Sequence, residues 1–425
     1  MELYDHQKEA LKATEQFNHT AYYLDMGLGK TFVGSEKVED LKATINLIIC
    51  QKSKLNDWIE HFRTYYSYVP QFTYDLTDPK QLKAFSKHAS FIGSDGEACY
   101  GIINYDLAWR RKELLQLKDF TLMLDESSLI QNENSKRSSF ILKLKPKNVI
   151  LLSGTPCAGK YENLWSQLHL LGWKISKELY YNTYVDFHWD DSQGFPLRII
   201  DGYKNVERLK RKMREHGCYF LKTEEVLDLP DQIDQSIKVP ITKDYLKFKR
   251  DRMVTVEDTE LIGDTLLTKM LYERELCGQY NQDKLKAFLD LVESTSDRLI
   301  VFYNFNAELE KLWDIAKECN RPVSMVNGTV KTLDNYETED NSITFIQYQA
   351  GSMGLNLQKA NKIIYFTPPL NSEFYEQSRK RTHRLGQNNT CFYYQMICQW
   401  SIEERIYKTL AKRKDYTEAL FENED

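Results

Sequence analysis

Two tandem doubly wound α/β lobes, each around a parallel sheet and carrying helical insertions, is the architecture this sequence predicts. Three observations carry it. Short β-branched apolar runs alternate with helical stretches in two separate series. A proline-bearing turn, Leu227-Asp228-Leu229-Pro230-Asp231, lies between the series. A glycine-rich loop closes the first apolar run, and an arginine-rich segment stands near the end of the second series.

In chain order, the run Ala21-Tyr22-Tyr23-Leu24 precedes the glycine-rich loop. The runs Ile45 to Cys50, Gly101 to Asn104, Thr121 to Leu124 and Val149 to Leu152 read as buried parallel strands. Leu55 to Tyr65 and Glu162 to Leu171 read as helices among them. A mainly helical stretch covers roughly 160–220, which assigns residues 1–226 to the first lobe. Residues 227–241 read as a linker and 242–425 as the second lobe, with a helical lead-in over about 242–295 and a C-terminal helix. Its strands are Leu299 to Tyr303, Val323 to Val326, Ile343 to Gln347, Lys362 to Phe366 and Cys391 to Ile397.

The 425 residues are 42% hydrophobic and 28% charged, a globular balance, and the net charge of −5 rules out a polycation. Contact with nucleic acid must therefore come from a local basic surface. The eight cysteines are scattered with no Cys-x-x-Cys pair, so buried thiols in a reducing cytosol are expected rather than a metal site. No apolar stretch reaches about 18–20 residues, and the first residues are polar, so no membrane span or signal peptide is expected and the chain reads as cytoplasmic.

Gly27-Leu28-Gly29-Lys30-Thr31 has the composition of a phosphate loop, although the strict pattern wants glycine where Leu24 stands. Backbone N–H groups at a helix start face anionic oxygens; Lys30 would reach the β/γ-phosphates of ATP and Thr31 would hold Mg²⁺. Asp125 and Glu126 end an apolar strand about 95 residues further on, the edge where open α/β sheets bind ligands. Asp125 would be the second Mg²⁺ residue and Glu126 would position or deprotonate the attacking water. Arg381 and Arg384, three apart and on one face if helical, have the spacing of arginine fingers. Arg379 and Lys380 read as a solvated basic face, and His383 as an interface residue or a partner for nearby acids. The run Arg208 to Arg214 reads as a charged, solvated helix face, and Tyr65, Tyr66 and Tyr68 as a buried aromatic cluster.

With these residues in place, the chain resembles the Snf-type DNA translocase ATPases of helicase superfamily two, in a compact form of bacterial or phage size. Leu3-Tyr4-Asp5-His6-Gln7 resembles the glutamine motif, Leu47 to Ser53 with Trp58 motif Ia, and Leu152-Ser153-Gly154-Thr155-Pro156 motif III followed by its helix. Leu299 to Phe305 resembles motif IV, Ala350 to Leu357 motif V, and the segment ending His383-Arg384-Leu385-Gly386-Gln387 motif VI. The resemblance implies two RecA-like lobes with ATP hydrolysed at an inter-lobe cleft. Gln7 would read adenine, and Gly354 would join the nucleotide site. Ser153, Gly154, Thr155 and Gln377 would couple hydrolysis to movement. DNA would lie along Lys52, Ser53 and Lys54 of the first lobe and Gln349, Ser352 and Asn356 of the second.

The chain departs from the family after Asp125-Glu126, where Ser127-Ser128 stands in place of the usual Ala-His or a close relative; a Ser128 hydroxyl would replace part of the histidine link between ATP site and motor cycle. The implied activity is ATP-driven translocation on duplex DNA. Strand separation on single-stranded DNA or RNA forks, and an ATP-gated clamp without turnover, are the alternatives.

Overall fold

The computed structural model describes residues 2–67, 71–91, 97–191, 196–350 and 355–421. It divides into two compact units, Met1–Val226 with Tyr416–Asp425, and Leu227–Asp415.

In the first unit the strands are β1 (His19–Leu24), β2 (Ile45–Cys50), β3 (Gln71–Asp75), β4 (Ala98–Asn104), β5 (Thr121–Asp125), β6 (Asn148–Ser153), β7 (Val185–Asp190), β8 (Leu197–Tyr203) and β9 (Cys218–Leu221). Seven of them form one sheet in the order β3-β4-β2-β5-β6-β1-β9, parallel at every pairing. Helical crossovers cover a parallel sheet on both faces, and accordingly every residue of β2 and β6 is buried.

The stretch expected to be helical over roughly 160–220 contains an antiparallel hairpin, β7 with β8. Its Val-Asp-Phe-His-Trp-Asp strand alternates with period two, which a helix cannot bury on one face. Arg198 fastens it to the preceding helix, its guanidinium 4.7 Å from the Tyr181 ring, 4.6 Å from Phe187 and 5.0 Å from Trp189.

The second unit holds β10 (Gln232–Val239), β11 (Met253–Val256), β12 (Thr259–Ile262), β13 (Leu299–Tyr303), β14 (Val323–Val326), β15 (Lys331–Thr332), β16 (Ile343–Gln347), β17 (Lys362–Tyr365) and β18 (Cys391–Cys398). Its large sheet runs β10-β18-β17-β13-β16-β14-β15, parallel except for the short β14–β15 pair. The two large sheets are thus the doubly wound α/β lobes expected.

The stretch expected as a linker, 227–241, holds β10, paired with β18 along its whole length. Most of β10 is exposed, so no apolar run marks it; its backbone partner is supplied from far along the chain. Residues from Tyr416 onward group with the first unit rather than with the second lobe expected to contain them.

A stacked tyrosine series, Tyr348, Tyr365 and Tyr393, fills the second core, and a buried ion pair braces it. Lys284 Nζ lies 2.7 and 2.8 Å from the two Glu403 oxygens, and the carboxylate also accepts from the Cys398 N–H. A buried pair satisfied in this way avoids the cost of an isolated charge. Among the described residues no cysteine forms a disulfide, and no helix is long and apolar enough to cross a membrane.

Candidate active site

Sheet order assembles the site of the first unit. Strands β5, β6 and β1 are neighbours and parallel, so the loops leaving their carboxyl ends open on one edge. Those loops carry Asp125-Glu126, Ser153 to Pro156, and Asp25 to Gly29.

The β1 loop turns into the helix Lys30–Leu41 through Gly29, whose φ of +75° is left-handed. A Cβ there would sit 2.2 Å from Gln7 Nε2. Gln7 is buried; its Nε2 donates to Leu28 O at 3.2 Å while its Oε1 accepts from the Tyr4 N–H at 3.0 Å. Gln7 therefore grips the loop's backbone directly. Exposed Tyr4 stacks on His6, with ring centroids 5.8 Å apart.

Lys30 Nζ donates to Leu24 O at 2.9 Å and Asp25 O at 3.3 Å. A Cβ on Gly154 would lie 3.1 Å from that ammonium and 3.3 Å from Leu24 O. Glycine at this place leaves open the space an anion needs beside Lys30. Neutral carbonyls hold the ammonium, and charged phosphate oxygens are stronger acceptors. The residues present fit a nucleotide triphosphate. Thr31 and Asp125 offer the hard oxygen donors that Mg²⁺ takes.

Trp58 Nε1 donates to Asp125 Oδ2 at 2.8 Å. Burial raises the Asp125 carboxyl above the usual range, while the Trp58 hydrogen bond and the Lys30 and Lys54 charges pull it back. Glu126 follows in the left-handed region at φ +55°, a conformation that costs a non-glycine residue about 1–2 kcal/mol. Tyr105 Oη steadies this turn, donating to Asp125 O at 2.9 Å.

Of the two serines after Glu126, both are buried, and Ser127 reaches the helix after Pro156. Its buried hydroxyl donates to Gln167 Oε1 at 2.7 Å. Gln167 Nε2 in turn donates to Pro156 O at 2.7 Å, and the Thr155 N–H donates to Ser153 Oγ at 3.1 Å. Sequence reading named Gln167 only as part of a helix and missed its contacts. The available signal is a polar residue on the apolar face Leu164, Gln167, Leu168, Leu171, at helical spacing.

Lys52 and Ser53 are exposed at the start of the helix Leu55–Tyr65, whereas Lys54 pairs with Asp57 at 2.7 Å. Tyr66 is buried as expected of an aromatic cluster but Tyr65 is exposed; Tyr68 lies outside the described residues. The run Arg208 to Arg214 forms an amphipathic helix that buries Leu209 and Met213. Lys210 departs from the solvated-face reading, being buried and paired with Glu207 at 3.0 Å.

In the second unit, the helix Ser372–Arg379 ends before Arg381 and Arg384, so the two do not share a helical face. The chain turns there and runs into Gly386 at φ +94°. Arg381 is buried, and its carbonyl accepts from the Leu357 N–H at 3.1 Å. Arg384 Nη1 donates to Asn356 Oδ1 at 2.6 Å, bringing together a residue expected at ATP and one expected at DNA. Gln377 is buried against Glu373, and Gln349 is exposed. Ser352 and Gly354 lie outside the described residues.

Arg379, expected on a solvated face, is buried instead. It pairs with Asp234 and lies 3.8 Å over the Tyr393 ring, because β10 brings an acid to it. His383 Nε2 is 2.8 Å from Pro230 O, which makes it a fastening of the loop before β10.

Comparison with known proteins gives the family. The family model described as SNF2-related domain matches residues 18–282, and that described as Helicase conserved C-terminal domain matches 283–386. The chain belongs to the SNF2-related family.

YwqA of Bacillus subtilis (strain 168) is 24% identical over 444 residues, covering 94% of this chain and 46% of that protein. MG018 of Mycoplasma genitalium is 23% identical over 428 residues, covering 92% and 39%. The chain thus spans less than half the length of these relatives. A solved structure of the Sulfolobus solfataricus SWI2/SNF2 ATPase core in complex with dsDNA is 20% identical, with a TM-score of 0.45 over 98% of this chain and 92% of that one.

Proposed function

We propose that this chain is a nucleic-acid-dependent ATPase that moves along double-stranded DNA. The observation that carries the reading is the sheet order of the first unit. Three adjacent parallel strands present the Lys30 loop, the Gly154 loop and the Asp125-Glu126 turn on one edge. Family membership supports it, as do the names of YwqA and MG018, which place those proteins among ATP-dependent helicases.

In this reading Lys30 and the N–H groups of Gly27 to Lys30 bind the ATP phosphates, and Gln7 fixes the loop that does so. Thr31 and Asp125 hold Mg²⁺, which neutralises phosphate charge when bound. Glu126 orients a water and accepts its proton. Arg381 and Arg384, from the second unit, supply positive charge required for turnover. Lys52, Ser53, Gln349 and Asn356 take DNA backbone phosphates, contacts that weaken as salt rises.

Steady-state ATP hydrolysis measured with duplex DNA, single-stranded DNA and RNA tests the proposal. Duplex DNA is expected to stimulate most, and added salt to reduce the stimulation. Stimulation by single strands or RNA alone would replace translocation with strand separation, and absence of hydrolysis would leave an ATP-gated clamp.

A further inference from the structure

Gln167 is fully buried, and its amide touches three segments that the function uses. Its Oε1 accepts from Ser127 Oγ at 2.7 Å and Tyr23 Oη at 3.1 Å, and its Nε2 donates to Pro156 O at 2.7 Å. The orientation of the amide is forced. Pro156 O can only accept, so the NH₂ must face it and the oxygen must face the two hydroxyls. Each hydroxyl is thereby obliged to donate to Gln167.

The three partners stand in telling places. Ser127 immediately follows Glu126, whose left-handed turn needs holding. Pro156 ends the loop in which Gly154 leaves room beside Lys30. Tyr23 precedes Leu24, whose carbonyl accepts from Lys30. A shift of the Gly154 loop therefore pulls on the same amide that sets Ser127, and through it the Glu126 turn.

We propose that Gln167 is a positioning residue that ties the Glu126 turn to the Gly154 loop. The proposal rests on the ATPase reading above. Gln167 acts through Ser127 and Pro156. Because all three groups are buried, losing one partner leaves the others unsatisfied rather than bonded to solvent.

The test is duplex-stimulated ATP turnover by Gln167→Leu, Ser127→Ala and the double variant, with Lys30→Ala assayed alongside. Each single change is expected to lower kcat about tenfold, the equivalent of about 1.4 kcal/mol of barrier, with the KM for ATP little altered. The double variant is expected to lose no more than the worse single one, since both remove the same link. Ser127→Ala removes one hydroxyl and decides the matter where Gln167→Leu does not fold. An unchanged kcat in Ser127→Ala, additive losses in the double variant, or a loss confined to KM would overturn the proposal. Wild-type turnover that Lys30→Ala fails to remove would overturn the ATPase reading and this inference together; Lys30-dependent turnover with indifferent Gln167 and Ser127 variants overturns the inference alone.

Discussion

Each unit is built on its own largely parallel sheet, but the two treat their loop-borne polar groups in opposite ways. In the first, Lys30 rests on two neutral carbonyls, beside a glycine that keeps space open. In the second, the arginine-rich segment is already committed: Arg379 to Asp234 and Tyr393, and Arg384 to Asn356. The contrast teaches that one sheet edge is prepared to receive an anion, whereas the other presents cations whose directions are set within their own unit. An ammonium on weak acceptors gives them up readily to phosphate; a guanidinium bonded to side chains keeps its geometry before any ligand arrives.

Four measurements break or sharpen this contrast. Lys30→Ala is expected to lower ATP turnover by about 10³-fold or more while leaving the melting temperature near the parent value, because its hydrogen bonds to Leu24 O and Asp25 O are made to loop carbonyls. Turnover within a few-fold of the parent would remove Lys30 from the chemistry.

Arg384→Ala is next. Nucleotide binding, read by a fluorescent ATP analogue, is expected to persist while turnover falls about 100-fold or more. An unaltered rate would transfer the role to Arg381.

Trp58→Phe removes the indole donor to Asp125 Oδ2 and is expected to slow turnover about tenfold, in the range of one charge-assisted hydrogen bond. That donor lowers the Asp125 carboxyl, so its loss raises it further and shifts the acid limb of the pH–rate profile to higher pH. A limb that stays in place would show that Asp125 does not govern it.

The smallest effect belongs to the second unit. Burial pushes the Glu308 carboxyl up to about 7, against the pull of the Asn304 and Phe305 N–H groups. A carboxyl raised in the folded state binds more protons there than in the unfolded chain. Its contribution therefore falls as pH rises from about 4.5, the unfolded value, to about 7, and levels off above. Glu308→Gln keeps an acceptor oxygen without the charge, so it is expected to melt higher relative to the parent at pH 8 than at pH 5. Melting curves that remain parallel at the two pH values would discard this account.

Sequence made the fully buried strands visible because a parallel strand covered on both faces leaves an uninterrupted apolar run, as in Ile45 to Cys50. Strand β10 escaped because it is mostly exposed and owes its place to β18, more than a hundred residues later. The hairpin β7–β8 escaped for a related reason, its strand being rich in Asp and His and only partly covered. Lys30, Asp125 and Glu126 were legible because phosphate and metal chemistry demands particular residues in sequence-local order. The contacts of Trp58 and Gln167 were not: Trp58 showed only as part of a motif and Gln167 only as a polar residue on an apolar helix face, and their partners lie 67 and 40 residues away.

The helix Ile402–Phe421 carries a consequence for synthesis. Leu420 and Phe421 belong to the core of the first unit, Phe421 lies 5.3 Å from Phe220, and Tyr161 Oη bonds to Tyr416 O. Ribosomes deliver chains from the N-terminus, and domains ordinarily fold as they emerge. Here the half that is translated first cannot close its interior until Leu420 and Phe421, some two hundred residues later, have been made.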